Sequence, residues 1–133
     1  MNEIVIDGTN ALLGRLASYA AKQAILGRNV RIVKCNDVVI SGNPKMILGE
    51  YQQTRKRGKG TQKGPNFPSV PEKMVKRTIR GMLSYRQARG MDAFKRIKCY
   101  NDMPSDYENV KKIKAGKDKP LQTVSLKELS KGI

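Results

Sequence analysis

Side chains able to do covalent or metal chemistry are few in this sequence. Histidine is absent, so no Ser-His-Asp triad, Cys-His dyad or His-containing zinc site can be built. The two cysteines, Cys35 and Cys99, are far apart and no CxxC occurs, which excludes a zinc ribbon and a thioredoxin-type motif. They read as two reduced, partly buried thiols. Carboxylate chemistry has one candidate, Asp7, at the C-terminal end of an expected strand, where α/β enzymes place working residues. A lone carboxylate there also serves a turn or helix cap, and that structural role is the expectation. Asp37 and Asp92 have no evident partner, and Asp102, Asp106 and Glu108 are expected to be solvated. Gly8 and Gly14 stand in a strand–turn–helix, but G-x-G-x-x-G is missing there, and no G-x-x-x-x-G-K-[ST] occurs. Gly8 is expected to take a positive φ in a turn, and Gly14 to let a helix pack closely.

Cations are the chemistry the chain does carry. Lys and Arg number 27 against 11 Asp and Glu, a formal charge of +16. Residues 51–100 alone hold a net of +12, while the segments on either side hold +2 each. Charge kept for solubility is dispersed; charge concentrated like this implies a polyanionic partner, most commonly nucleic acid. An anionic membrane surface fits less well, because tryptophan is absent and the basic helices lack a Phe/Leu-rich face. Arg55, Lys56, Arg57, Lys59 and Lys63 fall in a Gly- and Pro-rich stretch from Thr54 to Ser69. We expect this basic loop to lie along a phosphate backbone. Lys73, Lys76, Arg77 and Arg80 recur at three and four residues, which sets four cations in one helical stripe with only Glu72 nearby. Arg86 and Arg89 extend that surface toward Lys95, Arg96 and Lys98. With no RNP-type aromatic pattern, phosphate and shape contacts are expected to dominate over base reading.

The elements that must position these cations follow from periodicity. Ile4-Val5-Ile6 reads as a buried strand, and Asp7-Gly8-Thr9-Asn10 as a turn. Leu12, Leu13, Leu16, Ala17, Ala20, Ala21, Ala24 and Ile25 form one apolar stripe of a helix that Gly27 closes. Val30–Cys35 and Val38–Ile40 suit two more strands, and a helix is expected from Pro44. Ser69-Val70-Pro71-Glu72 reads as a capping box for a helix whose apolar face is Met74, Val75, Thr78, Ile79, Met82 and Leu83. Ser84–Gln87 is expected to start another helical turn and Ile97–Tyr100 a strand. Lys111–Lys119 is expected to be exposed. Leu121–Val124 fits a last strand, and Ser125-Leu126-Lys127-Glu128 caps a short C-terminal helix. Alternating strands and helices argue for an α/β fold with a mostly parallel sheet. The length suits one domain over residues 1–133. The acidic N-terminus is not that of a signal peptide, and no apolar run approaches a membrane span.

Several segments, taken in order, resemble one family. They are Ile6-Asp7-Gly8, Leu13-Gly14-Arg15-Leu16-Ala17-Ser18, Ile40-Ser41-Gly42-Asn43, Arg55-Lys56-Arg57 before Gly64-Pro65, Arg77-Thr78-Ile79-Arg80-Gly81-Met82-Leu83, Arg89-Gly90 and Lys95-Arg96-Ile97-Lys98. The resemblance is to the universal large-ribosomal-subunit protein family thirteen in its archaeal/eukaryotic form, and it covers Ile4 to about Glu108. It implies a three-layer α/β/α fold with a four-stranded, mainly parallel sheet. It implies a structural role in the cytoplasmic ribosome, with large-subunit rRNA and neighbouring ribosomal proteins as partners. It brings no cofactor, metal, small-molecule substrate or catalysis. Arg15 matches the family, and it is expected either to bind RNA or to pair with an acid. Asn66-Phe67-Pro68 and Ser84 depart from the family's usual residues. The reading from a different class is a metal-dependent phosphate-ester enzyme acting on RNA, with Asp7 in the catalytic role.

Overall fold

The computed structural model describes residues 3–56, 70–84, 86–108, 112–114 and 123–132. The β-branched run forms β1 (Glu3–Asp7), followed by α1 (Leu13–Ile25), β2 (Asn29–Val33), a 3-10 turn (Cys35–Asp37), β3 (Val39–Ser41) and α2 (Pro44–Lys56). Then come α3 (Pro71–Met82), α4 (Ala88–Lys95), β4 (Ile97–Cys99), a second 3-10 turn (Ser105–Tyr107), β5 (Lys112–Lys114), β6 (Thr123–Ser125) and α5 (Leu126–Gly132). The main sheet is parallel throughout, in the order β4-β2-β1-β5. This is the expected α/β fold with a mostly parallel sheet of four strands.

Register explains the core. Ile6 is level with Ile32, and Val30 with Ile97, so these side chains share one face of the sheet. All four are fully buried against α1 and α3. α1 presents Leu16, Ala17, Ala20 and Ala24 to that face, and α3 presents Met74, Val75 and Ile79. Alanines on α1 leave room for the larger side chains of α3 to seat between helix and sheet. Each fully buried aliphatic side chain contributes roughly 1.5–3 kcal/mol relative to exposure. Two expected core residues fall outside: Ile25 is 50% exposed and Met82 45%. Both stand at the last residue of their helices, where the stripe has turned past the sheet.

Helix ends follow the sequence unevenly. α1 closes with Gly27 at φ +95°, its N–H on Ala24 O at 3.0 Å and the Arg28 N–H on Gln23 O at 3.2 Å. That bond pair is a Schellman termination and matches the expected role of Gly27. α5 starts as expected, with the Glu128 N–H donated to Ser125 Oγ at 3.2 Å. α3 does not start as expected. Its cap residue is Val70, which has no side-chain acceptor, and the Glu72 N–H is donated to Asn101 Oδ1 at 2.8 Å. A residue from beyond β4 thus does the capping. α4 begins at Ala88, after a turn closed by the Gln87 N–H on Ser84 O, so the helix starts later than Ser84–Gln87 suggests.

Three further expectations are corrected. β3 joins β6 in a separate antiparallel pair instead of the parallel sheet. β5 lies within the stretch expected to be merely exposed. Lys112 and Lys114 flank Ile113, and Ile113 pairs level with Ile6 at the sheet edge. Lysines on an edge strand discourage further strand pairing, which is why the segment reads as polar yet pairs. The basic stretch also begins later than Thr54, because α2 runs through Lys56. Residues 57–69 lie outside the described residues.

Candidate nucleic-acid interface

α3 carries the expected cation stripe, and its side chains divide into two groups. Lys73 is exposed, and Arg77 and Arg80 are half-buried. Lys76 departs from the stripe. Its ammonium is donated to the carbonyl oxygen of Ile97 and lies 4.6 Å from the Phe94 ring centroid. Burial pulls the Lys76 pKa below the usual lysine value; nearby Cys99 opposes this, while Lys98 and Arg31 add to it. A lysine held in this way fastens α3 to β4 and to α4. Its position at the edge of the buried face of α3 turns it inward; three- and four-residue spacing does not reveal that.

Other cations are absorbed in the same manner. Arg96 Nη1 donates to Ala24 O at 2.9 Å, a favourable site for positive charge at the C-terminal end of α1. Arg31 donates to Val30 O and Arg96 O and stands 3.7 Å from a Glu3 carboxylate oxygen. Arg96, expected on the basic surface, serves the fold instead. Lys95 and Lys98 are exposed, as are Arg86 and Arg89 before and within α4. Arg15 is exposed on α1 and engages a partner within the chain. Arg55 and Lys56 stand in the last turn of α2. Arg57, Lys59 and Lys63 lie outside the described residues, as does Phe67.

Glycine fixes how the α4 cations are presented. A Cβ built on Gly90 would sit 1.9 Å from Ser84 O and 2.2 Å from Ser84 C. The turn at Ser84 therefore lies directly on the backbone of α4, beside Arg89. In the sequence, Arg89-Gly90 is legible only as part of a family pattern. Gly8 and Gly14 are corrected. Gly8 is not among the residues at positive φ. It is small because its Cβ would meet Val38 Cγ2 at 2.8 Å, with Val33 O and Lys34 O each at 3.0 Å. Gly14 is exposed and faces open space, so it permits no close packing.

Asp7 takes the structural role. One carboxylate oxygen, Oδ1, accepts the Thr9 N–H at 3.0 Å and the Thr9 hydroxyl at 2.7 Å. Burial disfavours its charged form, but the two Thr9 bonds and the charges of Lys34 and Lys114 outweigh it, so the carboxyl sits below its ordinary value. This is a turn that starts the path into α1. Among the described residues, no group of three or more cysteine or acidic side chains is placed to hold a metal ion. No helix among them is long and apolar enough to cross a membrane.

Comparison with known proteins decides the family. The family model described as Ribosomal protein L13 matches residues 1–106. The Large ribosomal subunit protein uL13 of Methanosarcina barkeri is 46% identical over 82% of this chain and 78% of its own length. That of Methanocaldococcus jannaschii is 40% identical over 96% and 94%, and that of Archaeoglobus fulgidus 38% over 78% and 66%. The Asp7 turn and these relatives leave no ground for the phosphate-ester enzyme. The chain belongs to the ribosomal protein L13 family, whose members are structural proteins of the large ribosomal subunit and not enzymes.

Proposed function

We propose that this protein is a structural constituent of the large ribosomal subunit that binds large-subunit rRNA through its cations and supports subunit assembly. The observation that carries the reading is the charge: a net +12 within residues 51–100 of a chain whose family is ribosomal. Arg55, Lys56, Arg57, Lys59 and Lys63 form an arm along the RNA backbone. Lys73, Arg77 and Arg80 on α3 face phosphates, and Arg86 and Arg89 continue that surface. Arg15 contributes from α1. Lys76 is assigned to holding α3 in place. Residues 1–133 act as one RNA-binding domain in the cytoplasm, beside other large-subunit proteins and without a cofactor.

Replacing Arg55, Lys56 and Arg57 together by Ala tests the arm. Binding to large-subunit rRNA is expected to weaken while the fold persists. Each cation withdrawn from a phosphate reduces the slope of log K against log[salt] by roughly 0.7–0.9. Unchanged affinity and slope at moderate salt overturn the assignment.

A further inference from the structure

Two cysteines that are 64 positions apart in sequence are brought to neighbouring segments of the fold. Cys99 ends the edge strand β4 and pairs level with Ile32 of β2. Just past β2 the chain turns through Lys34, a left-handed residue at φ +56°, into the 3-10 turn that begins with Cys35. The Cys35 N–H is donated to Tyr100 O at 3.0 Å, which fixes this turn against the end of β4. The Cys35 side chain points back toward the strand ends, with Sγ 3.9 Å from Ile32 O. Tyr100, next to Cys99, donates its N–H to the same Ile32 O at 2.8 Å, and both cysteine side chains pack in one core. The neighbouring Cys99 thiol and burial raise the Cys35 pKa.

Their surroundings differ in a way that gives each a role. Cys35 is fully buried, whereas Cys99 is half-buried on a strand at the edge of the sheet. The Lys76 ammonium is donated to the carbonyl oxygen of Ile97, two residues before Cys99 on β4. We propose that Cys35 and Cys99 form an oxidation-sensitive dithiol, with Cys99 the attacking thiol and Cys35 the resolving one. The oxidant is hydrogen peroxide. The Cys99 thiolate attacks the peroxide oxygen, the O–O bond breaks, and hydroxide leaves, giving a sulfenic acid. The Cys35 sulfur then displaces the hydroxyl from Cys99 sulfur, its proton leaves with that oxygen as water, and an S–S bond forms. Each disulfide reduces one peroxide, and a thiol reductant reverses the step. The S–S bond, about 2.05 Å long, joins two neighbouring segments that the Cys35 N–H to Tyr100 O bond already holds together. The bond ties the turn after β2 to the end of β4, two residues before Asn101, which caps α3.

The test uses the intact chain with hydrogen peroxide. Before oxidation, both cysteines take iodoacetamide under denaturing conditions. After oxidation, the chain is expected to lose about 2 Da, take no label, and yield a proteolytic peptide joining the Cys35 and Cys99 segments. Dithiothreitol restores both labels. Cys35→Ser is expected to leave a sulfenic acid at Cys99 that dimedone traps, and Cys99→Ser to leave Cys35 unreacted. Two labels retained after peroxide, or oxygen added at Cys99 with Cys35 still labelled, overturn the proposal. Both readings come from the unsubstituted protein, so they do not depend on the variants folding.

Discussion

Gly90→Ala puts a side chain where two stretches of backbone cross. The added Cβ meets Ser84 O at 1.9 Å and Ser84 C at 2.2 Å. Both are backbone atoms, so no rotamer relieves the overlap, and the turn at Ser84 must lift from α4 by about 1.5 Å to restore ordinary van der Waals separation. Overpacking of a tight site costs typically 1–3 kcal/mol, and a side-chain clash with rigid backbone belongs at about 3. Alanine in a helix gains about 1 kcal/mol over glycine, which offsets part of this. The net expectation is a destabilisation of about 2 kcal/mol. With a urea slope of about 2 kcal/mol/M, the midpoint falls by about 1 M. Gly49→Ala is the control. Gly49 lies inside α2, exposed, with nothing within 4 Å of the added Cβ. There the propensity gain stands alone, and the midpoint rises by about 0.5 M. The same substitution thus acts with opposite sign at two helical glycines. A Gly90→Ala midpoint at or above that of the unsubstituted protein refutes the close approach.

Three further outcomes are expected. Lys73→Ala leaves the urea midpoint unchanged and lowers the salt slope of rRNA binding by roughly 0.7–0.9, while Lys76→Ala lowers the midpoint and leaves the slope. An equal fall in slope for both variants contradicts the inward assignment of Lys76. Asn101→Ala removes the acceptor of the Glu72 N–H and destabilises by about 0.5–2 kcal/mol in urea unfolding, as removal of a helix cap does. Asp7 has a folded-state pKa below its unfolded value, so its contribution is present above the ordinary carboxylate pKa and disappears as pH falls through the folded one. Stability measured from about pH 6 downward therefore drops below about pH 4, and Asp7→Asn removes that component of the drop.

What the sequence revealed was local. The stripe of α1, its Gly27 stop and the Ser125 cap all rest on residues close together along the chain, and all three hold apart from the exposed Ile25 at the end of the stripe. What it hid depended on contacts across the chain. Asn101 caps α3 from 29 residues away, and neither residue carries a mark of it. β5 is a Lys-Ile-Lys segment whose pairing exists only because β1 offers an edge. The cation surface was legible as a concentration of charge, but not as a set of roles. Lys76 and Arg96 look identical in sequence to their neighbouring cations and differ only in facing Ile97 O and Ala24 O. Glycine was the least legible residue. Gly8 and Gly90 are small because other backbone crosses them, and Gly14 resembles them in sequence without that constraint.

Sedimentation of native cell lysate through sucrose, probed for this protein at low and then high salt, tests the ribosomal role most directly. The protein is expected to travel with the large subunit and to remain there after the salt wash, as an integral component does. Recovery at the top of the gradient in both conditions contradicts that role.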